Sequence, residues 1–293
     1  MFHTKKLIPA LACAAVMVVQ SIASAQTPVP KEKVVFKADT LVEGHLNVSA
    51  DLAIPGGAPD KKAAVVVVHS AGGYEDGTRK PYVDALNQAG IATLELNLYP
   101  QGGRPKTSRM NLPHVFGGLI YLANHPGIDS ARIGIMGFSA GGLLSMLSAS
   151  SEMVQEFTGG KYRFAAHLPV YPVCWAHLGS IQGKNPVYKI SVYQTLTGAP
   201  VHMLAGDKDD YDDPDTCVQF LAALSPDARQ HVALTVYPNA PHGWDSLKSP
   251  RSYYDTAANK GRGGNVQHYR QEDAAQKSLA FTLDFFKTKL GVN

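Results

Sequence analysis

The stretch GFSAGG, residues 137–142, places one serine among small residues, directly after the apolar run RIGIM and ahead of the apolar run LLSML. A Gly-x-Ser-x-Gly pattern where a strand turns into a helix has a chemical use. The turn is so tight that only glycine fits against the neighbouring strand and helix, and the serine is lifted above the sheet edge. A serine hydroxyl is a weak nucleophile near neutral pH, so it needs a base within hydrogen-bond reach and an acid to orient that base. Two downstream stretches hold such residues: VHMLAGDKDDYDDPD at 201–215 and VALTVYPNAPHGWD at 232–245.

Each stretch is an apolar strand pattern that runs into a polar loop. The chain order Ser, Asp, His is that of a nucleophile elbow served by later strand ends. Asp209, three residues past Gly206, is the expected acid, with Asp210 the runner-up. His242, followed by Gly243, is the expected base; His167 and His202 fall within strand patterns, and His231 and His268 outside strand ends. A calcium loop counted from Asp207 would need glycine at its sixth position and glutamate at its twelfth, where the chain has Asp212 and Val218. An oxyanion also needs two backbone N–H donors. Ala140, just past the serine at a helix start, is one; Ala71, in the HSAGG opening after AAVVVV, is the other, with His69 read as structural. Tyr74, Tyr99, Trp175 and Trp244 lie on neighbouring loops and are candidate walls of an acyl pocket, as is Glu75, which equally suits an exposed loop.

Positioning these loops requires alternating strands and helices. Strand patterns fall at 46–54, 63–69, 91–98, 132–138, 164–171, 201–205 and 232–237, and helical patterns at 78–89, 111–123, 141–149, 215–224 and 267–290. Several strands are apolar throughout, as in AAVVVV, which implies cover on both faces. The expectation is a single α/β domain over 26–293, a mostly parallel sheet flanked by helices, with an antiparallel start within 34–54. A polar insert at 245–265 reads as a partial lid or a surface loop.

With these loops in order, the chain resembles the dienelactone hydrolase family of the α/β-hydrolase superfamily. The resemblance spans 46–290 and rests on VVVVHSAGG, HPGIDSARIGIMGFSAGG, YPVC, LAGDKDD, YPNAPHGWD and the closing AAQKSLAFTLDFFKTKL. It implies Ser139 as nucleophile, Asp209 as acid, His242 as base and the N–H groups of Ala71 and Ala140 as oxyanion donors. Two positions depart from the family's namesake: Ser139 replaces a cysteine nucleophile, and Ser70 replaces a glutamate just before the first oxyanion donor. The departures point to a general carboxylesterase or lactonase acting on a small-molecule ester. A peptidase or acyltransferase would use the same three residues, and a non-catalytic binding protein would usually lack one of them.

Composition fits this reading. With 45% hydrophobic and 17% charged residues, the 293-residue chain has the make-up of a globular protein, not a disordered one. Lys5 and Lys6, an apolar run at 7–19 and Ala23-Ser24-Ala25 form the order of a secretory signal, with cleavage expected after Ala25. The apolar run falls short of the roughly 20 residues of a spanning helix. Removing the two lysines takes the formal net charge from +3 to +1, which leaves no excess to attract nucleic acid or anionic lipid. No zinc or dinucleotide motif is present, so neither metal nor cofactor is expected. Cys174 and Cys217 would remain after cleavage; an exported chain leaves a disulfide and two buried thiols equally open.

Overall fold

The computed structural model describes Met1 and residues 28–39, 45–99, 108–184 and 189–293. The expected signal segment, apart from Met1, lies outside the described residues. Strands β1 (Lys31–Asp39), β2 (His45–Ala53) and β3 (Lys62–Val68) are followed by α1 (Lys80–Gln88), β4 (Ala92–Asn97), α2 (Leu112–Ala123) and β5 (Ile128–Phe138). Then come α3 (Ala140–Leu147), α4 (Ser151–Thr158), β6 (Ala166–Val170), α5 (Cys174–Ile181), β7 (Val201–Lys208), α6 (Thr216–Ala223) and the single turn α7 (Pro226–Arg229). The chain closes with β8 (Val232–Pro241), β9 (Arg251–Asp255), the single turn α8 (Ala258–Gly261), β10 (Gly264–His268) and α9 (Glu272–Lys289).

Eight strands form one sheet in the order β1-β2-β4-β3-β5-β6-β7-β8. From β4 to β8 every pairing is parallel, while β2 is antiparallel to both β1 and β4. The expected antiparallel start is this β1–β2 pair. Strand β3 explains its own sequence: Ala64, Val66 and Val68 face one apolar core while Ala63, Val65 and Val67 face the other. A strand with both faces in a core has no place for alternating polar residues. On one side α2, α3, α4, α5 and α6 supply the cover; on the other, α1 and α9 do.

The structure departs from the sequence expectations in three places. Helices α4 and α5 were not anticipated. The closing helix starts at Glu272, not at 267, because 264–268 pairs with β9 as a two-stranded hairpin. The 245–265 insert, read as a partial lid or a surface loop, has this hairpin as its outer part, with Tyr253, Ala258 and Val266 packed on Val173, Tyr211 and Trp175. Among the described residues no helix is long and apolar enough to cross a membrane.

Candidate active site

At the carboxyl end of β5 the chain turns into α3 at Ser139, whose backbone is held at φ 54°, ψ −113°. Such a conformation costs on the order of 1–3 kcal/mol and persists only where the surroundings impose it. Here they do: a Cβ on Gly137 would lie 2.1 Å from the Gly141 carbonyl oxygen, and one on Gly141 would lie 2.4 Å from that of Val68. Glycine lets β5, α3 and β3 approach this closely, and the serine side chain is what remains exposed above them.

The structure brings the three expected residues together. His242 Nε2 lies 2.8 Å from Ser139 Oγ, and His242 Nδ1 lies 2.7 Å from Asp209 Oδ2. Because a carboxylate only accepts, Nδ1 carries the proton and Nε2 is left to accept the Ser139 hydroxyl. The second Asp209 oxygen accepts the Tyr211 amide at 2.9 Å. His242 is 4% exposed and Asp209 8%, so water competes little for the pair. The rings of Tyr211 and Tyr171 lie 4.3 and 4.8 Å from the imidazole and complete its shielding. Burial alone would lower the His242 pKa, but the charge and hydrogen bond of Asp209, with Asp212 and Asp245 beyond, outweigh it and leave the pKa above 6.5.

Asp210 points elsewhere: its carboxylate accepts the Gln267 amide of β10 at 2.7 Å. Asp213 pairs with Lys260, and Asp215 accepts from Gln219 within α6. Asp212 turns inward and accepts the amides of Cys174 and Trp175, each at 2.7 Å. Cys174 and Cys217 are joined as a disulfide with Cα atoms 5.1 Å apart. Among the described residues, the one cluster with the residue types of a metal site is Cys174, Asp212 and Cys217. Its sulfurs are bonded to each other and its carboxylate is taken up by the two amides.

Of the two expected oxyanion donors, Ala71 lies in a loop that lines the cleft, and Ala140 is the first residue of α3, directly after Ser139. That loop is braced from below. Ser70 Oγ accepts the Gly72 amide and donates to Asp76, and Asp76 pairs with buried Arg79, which reaches buried Glu95. His69 is structural as expected: its Nε2 accepts the Leu98 amide at 3.0 Å and its Nδ1 donates to the Ser70 carbonyl at 2.6 Å. Burial holds its pKa near 4, in keeping with a neutral ring.

The aromatic candidates are placed differently from expectation. Trp244 is fully buried, donating its indole N–H to Ser278 at 3.0 Å, because the chain turns inward after Gly243. Trp175 packs against Gly261 beneath the hairpin, and Tyr74 lies under the Arg79 guanidinium at 4.5 Å. Tyr74 and Glu75 line a separate hollow beside Lys31 and Glu95, and Tyr99 sits edge-on to His69. None of these residues lines the cleft at Ser139. That cleft, of about 300 Å³, is walled by Tyr171, Tyr211, Tyr253 and His268, with Lys248 and Arg251 among its polar lining. Arg251, Tyr253 and Asp255 of β9 all face it, as alternate residues of a strand do.

The dienelactone hydrolase family model matches residues 48–290. No curated protein matches the sequence. Among solved structures, esterase 2 of Thermogutta terrifontis, phosphorylated by paraoxon, is 16% identical with a TM-score of 0.62, over 89% of this chain and 95% of that one. Est1E from Butyrivibrio proteoclasticus is 16% identical with a TM-score of 0.58, over 88% and 99%. The Pyrococcus furiosus esterase Pf2001 is 18% identical with a TM-score of 0.54, over 72% and 85%. At these identities the likeness establishes a shared fold, and the family match covers most of the chain. The protein belongs to the dienelactone hydrolase family of the α/β-hydrolase superfamily and is an ester-bond hydrolase.

Proposed function

We propose that the protein is a serine hydrolase that cleaves small carboxylic esters or lactones through an acyl-enzyme. The observation that carries this reading is the chain of two short hydrogen bonds from Ser139 Oγ through His242 to Asp209. His242 Nε2 takes the hydroxyl proton as Ser139 Oγ attacks the carbonyl carbon, and Asp209 stabilises the resulting imidazolium. The carbonyl oxygen becomes an oxyanion between the Ala71 and Ala140 amides, where each donor typically contributes a few kcal/mol. Collapse expels the alcohol, which takes the proton from His242. Water then repeats the sequence on the acyl-enzyme, with His242 again as base, and releases the acid. The steps need no metal or cofactor. The cleft of about 300 Å³ suits a small substrate. The signal pattern of residues 1–25 and the Cys174–Cys217 disulfide support an exported, periplasmic or secreted, enzyme.

Incubation with a fluorophosphonate probe is expected to label the peptide carrying Ser139, and p-nitrophenyl acetate is expected to be hydrolysed. Absence of both label and turnover would overturn the reading. The pH profile follows from the base. Catalysis needs neutral His242, whose pKa is raised above 6.5, so kcat/KM should fall as pH drops through a midpoint above 6.5. A midpoint well below 6.5, read from initial rates across pH 5 to 9, would contradict the assignment of His242 as the base.

A further inference from the structure

Asp212 is an inward-facing carboxylate that the reaction above does not use, and beside it lies the Cys174–Cys217 disulfide. Both join the same two pieces of chain. The acid loop leaves β7 at Asp209 and enters α6 at Thr216; α5 begins at Cys174, after a turn through Tyr171, Pro172 and Val173. The start of α5 has no cap from its own side chains, and both of its leading amides are taken by Asp212 from the middle of the acid loop. Cys174 is also bonded to Cys217, the second residue of α6. The carboxylate and the two sulfurs lie within 4.8 Å of one another, so the hydrogen-bonded and covalent links act at one point.

What this point holds lies on both sides of the base. In the acid loop, the Asp212 amide donates to the Asp209 carbonyl at 3.3 Å, three residues from the carboxylate that meets His242. On the α5 side, Tyr171 and Val173 sit at φ 38° and 56°, conformations disfavoured for these residue types. The Tyr171 ring packs on His242 and its hydroxyl donates to Asp245 at 2.8 Å. We infer that Asp212 is a positioning residue which, with the Cys174–Cys217 disulfide, ties the acid loop to the start of α5, so that hydrolysis depends on the disulfide being closed. The inference rests on the serine-hydrolase reading for its kinetic consequence, but not for its structural one. Opening the tie needs a dithiol reductant: two electrons and two protons pass to the sulfurs of Cys174 and Cys217, leaving two thiols, and the reductant closes to its own disulfide.

The test compares the full-length protein, Asp212→Ala, Asp212→Asn and the double variant Cys174→Ser/Cys217→Ser, each checked for thermal unfolding. In Asp212→Ala and in the dithiol-reduced protein, kcat for p-nitrophenyl acetate should fall about tenfold as the base loses its alignment. Reduction should not change the double variant, which should already be slow. Asp212→Asn, which keeps one acceptor oxygen, should fall between Asp212→Ala and the unaltered protein. The low-field proton resonance of the His242 Nδ1–H bonded to Asp209 gives a readout that needs no turnover, and it should broaden or shift on full reduction and in Asp212→Ala. An unchanged resonance in both, or unchanged kcat with two free thiols counted, would overturn the tie. A protein that keeps the resonance but turns over no ester would instead overturn the serine-hydrolase reading, and the resonance would still decide this one.

Discussion

Ser139→Ala is expected to lower kcat/KM for p-nitrophenyl acetate by about 10⁵-fold and to abolish fluorophosphonate labelling, with thermal unfolding nearly unchanged. The size follows from the role: removing the nucleophile of a triad leaves only what the oxyanion donors and substrate binding supply, about 10³–10⁴ over water. At about 1.36 kcal/mol per decade, the loss is roughly 7 kcal/mol of transition-state stabilisation. Stability should be spared because Ser139 Oγ bonds only His242 among the described residues, and the backbone at φ 54° is imposed by the contacts of Gly137 and Gly141, not by the hydroxyl. A folded Ser139→Ala protein that keeps more than about a hundredth of the activity would place the nucleophile elsewhere.

Much of this site was legible in the sequence because it sits where sheet geometry leaves little freedom. The elbow is a glycine-spaced turn after an apolar strand, and Ala71, Asp209 and His242 each follow a strand whose apolar run marks its end. What was not legible turns on which way a side chain points beyond those ends. Trp244 and Tyr74 lie close in sequence to the base and the oxyanion loop, yet one turns into the core beside Ser278 and the other under Arg79. Periodicity carries no information about single residues in loops. The β9–β10 hairpin escaped for another reason: it covers a cleft, not a large core, so its deeply buried apolar residues are Ala258 and Val266 alone, and RSYYD and GNVQH show no run of apolar residues. Its pairing is local, but its seat on Trp175 and Tyr211 depends on residues distant in sequence.

The acid is where geometry decides between residues that chemistry leaves equivalent. Asp209→Asn should cost about 10⁴-fold in kcat/KM, and Asp210→Asn less than about threefold. An asparagine at 209 that offers its NH₂ to the imidazole would stabilise the tautomer with the proton on Nε2, which cannot take the Ser139 proton; the equivalent change in a serine-protease triad lowers kcat by about 10⁴. Nor does the neutral amide stabilise the imidazolium, so the acid limb of the remaining activity should move to lower pH, as expected on loss of the largest influence raising the His242 pKa. Asp212 lies near enough to influence His242, but its oxygens are held by the Cys174 and Trp175 amides, so it offers no substitute acceptor. Asp210 is tied to the Gln267 amide of β10, a bond that an asparagine oxygen can still accept, so its loss of charge should pass almost unnoticed at the serine. Steady-state rates for the two folded variants measure the contrast directly. Near-wild-type activity in Asp209→Asn, or the larger loss in Asp210→Asn, would mean that the 2.7 Å contact between Asp209 and His242 is not the one that orients the base.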